Sequence, residues 1–191
     1  SGNSAYSGQI NKGSGKLLKD GVGVLTLSDT NTYSGDTEIR AGTLQVSGLL
    51  SNDTNVVISS GATYELSGSD VVGSISGSGS LNLSNYILTV GNTSNQTMSG
   101  IVSGAGQLIK EGSGALTLSG VNTYTGDTTV NAGDLIVSGS LSDNTAVIIG
   151  SGASYELAAN DTVGSVSGAG NVNLSTFNLT AGNTSNQALS G

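Results

Sequence analysis

An internal repeat is the feature that most constrains what this chain can fold into. Residues 13–100 reappear at residues 104–191, at an offset of about 91 residues, with roughly 60% of positions identical and no gap. Repeats of this kind are typical of stacked architectures, in which each unit packs on its neighbours and none buries a core alone. The sequence therefore predicts an elongated repeat protein, whose function is to be sought on a long surface.

A shorter period runs inside each long repeat. Triplets of the form apolar-x-apolar recur every 17 to 20 residues, and a second column of apolar residues lies between them. That spacing is the length of one solenoid coil. The triplets are Leu25-Thr-Leu27, Leu44-Gln-Val46, Tyr64-Glu-Leu66, Leu81-Asn-Leu83, the weaker Met98 and Leu116-Thr-Leu118; the second column contains Ile39, Val56, Ile58, Val72, Ile75, Leu88 and Val90. We expect five coils per long repeat, with four wider coils as the alternative.

The segments between the apolar runs are rich in Gly, Asn and Ser, which tolerate the backbone conformations of sharp corners. No segment shows the i, i+3, i+4, i+7 spacing of an amphipathic helix. An antiparallel sandwich would not impose the coil-length period. The predicted fold is therefore all-β: a right-handed parallel β-helix of about nine to ten coils. Its expected divisions are a partial preceding repeat (1–12), a first repeat (13–103) and a second repeat (104–191) in one continuous solenoid.

Charge and composition exclude several classes of partner. The chain has a net charge of −8, only five basic residues, and no Cys, His, Pro or Trp. Nucleic-acid binding and attraction to anionic membranes both need clustered Lys and Arg. No apolar run is long enough for a transmembrane helix, and no signal peptide is visible. We therefore expect no nucleic-acid partner and no membrane insertion by this segment, which reads as a piece of a longer protein.

The glycine-rich start of each copy resembles a known family. The run from Gly15 to Ser28, the turn Asn31-Thr-Tyr-Ser-Gly-Asp-Thr37 and the strand Ala41-Gly-Thr-Leu-Gln-Val46 resemble the passenger-associated transport repeat of bacterial autotransporters. Residues Gly106 to Val137 resemble it equally well. Asp36 and Asp127 depart from the pattern, which more often has glycine or a small residue there. The motif covers about a third of the chain.

This resemblance implies a cellular address and a partner. Autotransporter passengers are exported through a C-terminal β-barrel of the same polypeptide and fold outside a Gram-negative cell as a β-helical stalk. The barrel would lie outside this segment, and the protein would be extracellular and anchored to the outer membrane. Many such passengers are adhesins or autoaggregation factors, so self-association or binding to host glycans or proteins is expected.

Carboxylates are the first candidates for catalysis, because paired acids hydrolyse polysaccharides. Glu65 and Glu156 lie mid-strand in Tyr-Glu-Leu, and Asp36 and Asp127 lie in the Asn-Thr-Tyr turn. Each acid recurs about 91 residues later, so the repeat disperses the acids instead of converging them as a site requires. We predict no catalytic residues.

Other candidate sites also have simpler structural interpretations. Arg40 is replaced by Asn131 in the second copy, and Asp29, which begins like a calcium loop, is replaced by Gly120. The pairs Gly13-x-Gly15 and Gly21-x-Gly23 lack the Lys-Ser/Thr of a phosphate loop and are expected to form corners. Tyr33 and Tyr124 could stack on sugars but are expected to fill corners. We predict no metal site and no cofactor.

The sequence thus favours a non-enzymatic segment of an adhesin passenger, acting as a rigid stalk or as an adhesion or autoaggregation scaffold. Coil-by-coil folding outside the cell could also assist export. A polysaccharide-degrading enzyme on the same scaffold is the alternative, and an intracellular structural array is a further one.

Overall fold

The computed structural model describes residues 2–11 and 13–182, and every regular element there is a β-strand. Residues 183–191 of the second repeat, and Ser1 and Lys12 of the expected partial repeat, lie outside the described residues. The strands are β1 (Ser4–Tyr6), β2 (Leu17–Lys19), β3 (Val24–Leu27), β4 (Thr37–Ile39), β5 (Thr43–Val46), β6 (Asn55–Ile58), β7 (Thr63–Leu66), β8 (Asp70–Val72), β9 (Ser74–Gly77), β10 (Ser80–Asn82), β11 (Ile87–Val90), β12 (Gln96–Met98), β13 (Val102–Ser103), β14 (Gln107–Lys110), β15 (Leu116–Leu118), β16 (Thr128–Val130), β17 (Asp134–Val137), β18 (Ala146–Ile149), β19 (Ser154–Leu157), β20 (Asp161–Val163), β21 (Ser165–Gly168), β22 (Asn171–Asn173) and β23 (Leu179–Ala181).

These strands form three faces, which the chain visits in turn. Face 1 runs β1-β3-β5-β7-β10-β13 and continues through a bridge between Val121 and Ser140 to the pair β20-β23. Face 2 runs β8-β11-β14-β16-β18-β21. Face 3 runs β2-β4-β6-β9-β12-β15-β17-β19-β22. All pairings are parallel, so the predicted parallel β-helix is confirmed, with nine coils on face 3.

The alternation of the strands explains the core. Most central strands show the burial pattern of a period-two strand, with apolar side chains pointing inward and polar ones outward. Inward residues of successive coils stack directly: Leu25 lies beside Leu44, Leu44 beside Tyr64, and Tyr64 beside Leu81. The buried side chains form one continuous column, because a single coil has no partner above or below.

The long repeat does not contain a whole number of coils. From β2 on face 3 the chain makes four full coils to reach β12, and then passes β13 on face 1 before it reaches β14, the counterpart of β2, on face 2. Four coils plus two of three faces give four and two-thirds coils per repeat. Each feature of the first copy therefore reappears one face away: Leu44 lies on face 1, whereas its counterpart Leu135 lies on face 3.

This result corrects the expected five coils per repeat and its alternative of four. The triplets at Leu25, Leu44, Tyr64 and Leu81 do share face 1, but Met98 and Leu116 belong to face 3. Coils vary in length because their corners vary. Gly73 alone joins β8 to β9, whereas residues 91–95 join β11 to β12. Within the part of the chain that the structure describes, no helix is long and apolar enough to cross a membrane.

Candidate functional site

The acids considered for catalysis lie far apart on the rod. Glu65 projects from face 1, where its carboxylate accepts a hydrogen bond of 2.7 Å from Gln45 Nε2. Its counterpart Glu156 projects from face 3. Asp36 precedes β4 on face 3, and Asp127 precedes β16 on face 2. The repeat geometry therefore separates each acid from its copy both along the rod and around it.

The first copy carries an exposed network of ion pairs on face 3. Lys16 Nζ lies 2.8 Å from Glu38 Oε1 and 3.0 Å from Asp36 Oδ2, and Arg40 Nη2 lies 2.8 Å from Glu38 Oε2. Asn55 donates to the other oxygen of Asp36 at 3.0 Å. The pKa of Asp36 is lowered first by the hydrogen bond from Asn55 and second by that from Lys16. The pKa of Glu38 is lowered first by the hydrogen bond from Lys16 and second by that from Arg40.

This network occurs in one copy only. The corresponding residues of the second copy are Gln107, Thr129, Asn131 and Ala146, with Asp127 alone retained. Because the cations and anions of the first copy satisfy one another, the network presents no free cluster of either sign to a ligand. The described residues contain no group of three or more acids that could hold a metal ion.

The two tyrosines considered for sugar stacking are buried. Tyr33 is 3% exposed and Tyr124 is fully buried. Each hydroxyl lies 2.5 Å from the Oγ1 of a buried threonine, Thr37 for the first copy and Thr128 for the second. Burial raises the pKa of Tyr33 to about 12. Neither ring can meet a ligand at the surface; both fill corners of the coil, as expected.

A buried asparagine in the same turn replaces a strand pairing. Asn122 Oδ1 accepts the backbone N–H of Val102 at 3.0 Å, and its Nδ2 donates to the carbonyls of Gly120 and Ser140 at 3.0 and 2.9 Å. Its counterpart Asn31 makes the same bonds to Ile10, Asp29 and Leu49. One side chain thus connects three successive coils at a corner. Asn31 is occupied in this way, so it does not join Asp29 as a cation ligand.

Two buried lysines were not anticipated from the sequence. Lys19 is 5% exposed and Lys110 is 3% exposed, and both occupy inward positions among aliphatic side chains. The sequence signal was present in two forms. Alternation places Lys19 on the same side of its strand as Leu17, and lysine is kept at this position in both copies, whereas Lys16 and Arg40 are not.

A buried aspartate in each copy was also missed. Asp70 Oδ1 accepts the backbone N–H of Leu50 at 3.0 Å, and Asp161 Oδ1 accepts that of Leu141 at 3.1 Å. Burial raises the pKa of both carboxyls, although hydrogen bonds from a tyrosine and two backbone amides oppose the shift. These carboxyls belong to the core and not to a surface site.

Depressions on the described surface do not assemble catalytic groups. A cavity of about 10 Å³ beside Ser74, Asn92 and Lys110 has room for about one water molecule. Wider hollows of about 550 and 410 Å³ lie at the first and last described coils. The first contains Lys19 and Asp20, and the second contains Asp143 and Asp161, whose carboxylate already accepts Tyr155.

The two copies differ mainly on the outside of the rod. Inward positions are kept or change conservatively, for example Ile39 to Val130, Ile75 to Val166 and Leu81 to Val172. Changes of chemistry fall on outward strand positions, for example Glu38 to Thr129, Gln45 to Ile136 and Asn55 to Ala146, although others such as Glu65 and Glu156 are kept. What the repeat preserves is therefore the core and the corner devices, and what it varies is the surface.

Comparison with known proteins bears on this pattern. The passenger-associated-transport-repeat family matches residues 17–46 and 108–137, which carry the buried Lys, Asn and Tyr of each copy. Over 141 residues, 68% of the chain, the sequence is 37% identical to the adhesin BmaC autotransporter of Brucella suis biovar 1 (strain 1330). The chain is an autotransporter passenger repeat region.

This passenger region covers a small part of its relative. The matched segment corresponds to 4% of the length of the Brucella adhesin. No solved structure matches the chain. The two transport repeats correspond to the predicted motifs, and each strand of the second lies on a different face of the rod from its counterpart in the first. The family of autotransporter adhesins implies a protein exposed at the cell surface and anchored in the outer membrane.

Proposed function

We propose that this region is a rigid stalk segment of a cell-surface adhesin, which holds a binding region of the full-length passenger away from the outer membrane. The observation that carries the proposal is the contrast between the two copies: the inward residues are kept or change conservatively, whereas many outward residues change chemistry, such as Glu38 to Thr129 and Gln45 to Ile136. A spacer needs only its core and its corners, and any hydrated surface serves it equally well.

The geometry favours a stalk over a repeated adhesive surface. Avidity from identical weak sites needs those sites to face the same partner at the same time. Glu65 and Glu156 are equivalent residues, yet they project from faces 1 and 3. A partner that approaches one side of the rod would meet an equivalent face only after three long repeats, which is 14 coils.

The same architecture supports a role in export. We propose that the passenger leaves through a C-terminal β-barrel of its own polypeptide and folds coil by coil at the cell surface. Each new coil buries its inward residues on the coil already formed, so folding proceeds in one direction and retains the chain outside. The proposed location is extracellular, anchored to the outer membrane through that barrel.

We also propose that the segment acts without catalysis. The acids are dispersed over three faces, and the described cavities bring together no pair of free acids with a base. Incubation of the protein with a panel of acidic polysaccharides should release no unsaturated or reducing sugar ends. Release that depends on Glu65 or Glu156 would contradict this part of the proposal.

A surface exchange tests the stalk directly. In the full-length protein displayed on cells, the outward residues of the second copy are replaced by those of the first (Gln107→Lys, Thr129→Glu, Asn131→Arg, Ala146→Asn) while the core is left intact. A stalk predicts unchanged adhesion. Deletion of one whole repeat should instead shorten the rod by about 22 Å, since adjacent strands are about 4.8 Å apart. Loss of adhesion in the exchange variant, with normal display, would show that this surface binds the ligand.

A further inference from the structure

The corner after β2, and its counterpart after β14, encloses a lysine ammonium group in backbone carbonyls. Lys110 Nζ donates to the carbonyl oxygens of Glu111, Gly112 and Ala132 at 2.6, 2.7 and 3.1 Å. Lys19 Nζ donates to those of Gly21, Ala41 and Asp20 at 2.7, 2.8 and 3.4 Å. An ammonium group has three donors, so each carbonyl cage uses all of them.

The path of the side chain shows that the lysine is built into the fold. Lys110 occupies an inward column of face 2, between Val90 and Val130 of the adjacent coils. Lys19 occupies the corresponding inward column of face 3, beside Ile39. The aliphatic part of each lysine fills the core as a leucine would, and the charged end emerges only far enough to reach the corner.

Two of the three carbonyls come from the residues that follow the lysine, and the third comes from the next coil. Ala132 is 22 residues from Lys110, and Ala41 is 22 residues from Lys19. The ammonium therefore joins two coils at a point where the chain turns, and where the carbonyl dipoles converge. Converging carbonyl oxygens without a cation would repel one another and would lack hydrogen-bond donors.

We propose that each carbonyl cage is a binding site for a primary ammonium ion, which the protein fills with its own tethered lysine. The cation, and not the bulk of the side chain, is what the corner requires. The site recurs in both copies, on different faces and with the same three kinds of carbonyl partner. This proposal goes beyond the stalk function, since it does not depend on what the surface of the rod binds.

Truncation with chemical rescue distinguishes the cation from the side chain that carries it. Lys110→Ala removes Cγ, Cδ, Cε and Nζ, and n-propylammonium supplies the same atoms. We expect Lys110→Ala to lower the midpoint of thermal unfolding by several degrees, and propylammonium chloride to restore most of the loss. Tetramethylammonium chloride at the same ionic strength has no N–H donors and should restore none of it. The wild-type protein and Lys16→Ala should not respond to propylammonium.

Lys110→Met provides the matched control, because methionine fills the aliphatic space without a charge. We expect it to remain destabilised nearly as much as Lys110→Ala and to gain nothing from the amine. A methionine variant as stable as the wild type would overturn the proposal, since the lysine would then serve as packing alone. Equal effects of propylammonium and tetramethylammonium on Lys110→Ala would overturn it too.

A measurement on the unaltered protein covers the case in which these variants do not fold. Amine acetylation followed by mass spectrometry reports the accessibility of each lysine. Lys16 is about half exposed and should react quickly, whereas Lys19 and Lys110 should react at least about ten-fold more slowly, because reaction requires local opening of the corner. Equal rates for Lys110 and Lys16 in the folded protein would contradict an enclosed ammonium.

Discussion

Tyr155 donates its hydroxyl hydrogen to the buried carboxylate of Asp161 across 2.9 Å, and Tyr64 makes the same bond to Asp70 in the first copy. The two pairs lie one repeat apart but on different faces of the rod. Each aspartate also accepts a backbone N–H from the preceding coil, so the carboxyl stands where a strand pairing would otherwise be. A titratable carboxyl group, that of Asp70 or Asp161, therefore stabilises this corner in each copy.

The stability of the rod should therefore depend on pH through these aspartates. Their folded-state pKa is raised, mainly by burial, so the folded protein binds protons more tightly than the unfolded chain does. Neighbouring Tyr33 and Tyr124 stay neutral, and Asp143 near Asp161 raises the pKa further. By linkage, the free energy of unfolding should rise as the pH falls through the raised folded-state pKa, and the rise should be complete at the ordinary pKa of aspartate.

Below the ordinary pKa of aspartate the trend should reverse. Asp36 and Glu38 have lowered folded-state pKa values, so their contribution is lost as the pH falls through those values. Urea unfolding at a series of pH values measures the profile. The double variant Asp70→Asn/Asp161→Asn retains an oxygen acceptor and should lose the gain in stability between the raised and the ordinary pKa of the aspartates. A variant with the wild-type profile would show that these carboxyls do not titrate in that range.

Removal of the buried asparagine should be costly. Asn122→Ala leaves the N–H of Val102 and the carbonyls of Gly120 and Ser140 without the side-chain partner that joins three coils. We expect a loss of about 3 kcal/mol in the free energy of unfolding, since each buried unsatisfied group costs about 1–3 kcal/mol. Asn171→Ala, at an exposed position of β22, is the control and should change stability by less than about 0.5 kcal/mol. Similar losses for both variants would contradict the role of Asn122.

The glycine at the same corner as the lysine cage should be more sensitive than a glycine at an open turn. Gly133 and Gly152 both have positive φ, 65° and 82°, so a side chain at either costs about 1–2 kcal/mol in backbone strain. A Cβ at Gly133 would also lie 2.7 Å from the carbonyl oxygens of Gly112 and Gly114, whereas a Cβ at Gly152 meets nothing within 4 Å. Denaturant unfolding should show Gly133→Ala to be clearly the less stable of the two. Equal destabilisation by the two substitutions would contradict this account, because it would mean that the carbonyls of Gly112 and Gly114 move away from the new Cβ at no cost in free energy.

The sequence predicted the strand alternation and the parallel stacking, because these depend on local pattern. Leu44 and Val46 point inward as their spacing indicates, and the coil count of about nine lies within the expected range. The assignment of strands to faces could not be obtained in this way. A corner of one residue at Gly73 and one of five residues at 91–95 are both compatible with a period near 19, so spacing alone does not reveal a shift of a third of a coil.

The buried polar groups were missed for a different reason. Lys110 and Asp161 are ionisable, and residues of that kind are expected at the surface; their burial depends in part on partners in the adjacent coils. Those partners lie about 20 residues away, beyond the reach of any local pattern. Comparison of the two copies was the available signal, since Lys19 and Asp70 recur unchanged whereas Lys16 and Glu38 do not.

The distance between Glu38 and Glu156 tests the coil arrangement most directly. Both residues project from the central outward column of face 3, and the register connects them through Val57, Ser76, Thr97, Thr117 and Ile136. Six steps of about 4.8 Å place spin labels at these positions about 29 Å apart. A narrow distribution near that value in pulsed electron paramagnetic resonance is the expected result. A maximum beyond about 40 Å, or a broad distribution in the folded protein, would contradict the stacked three-faced rod.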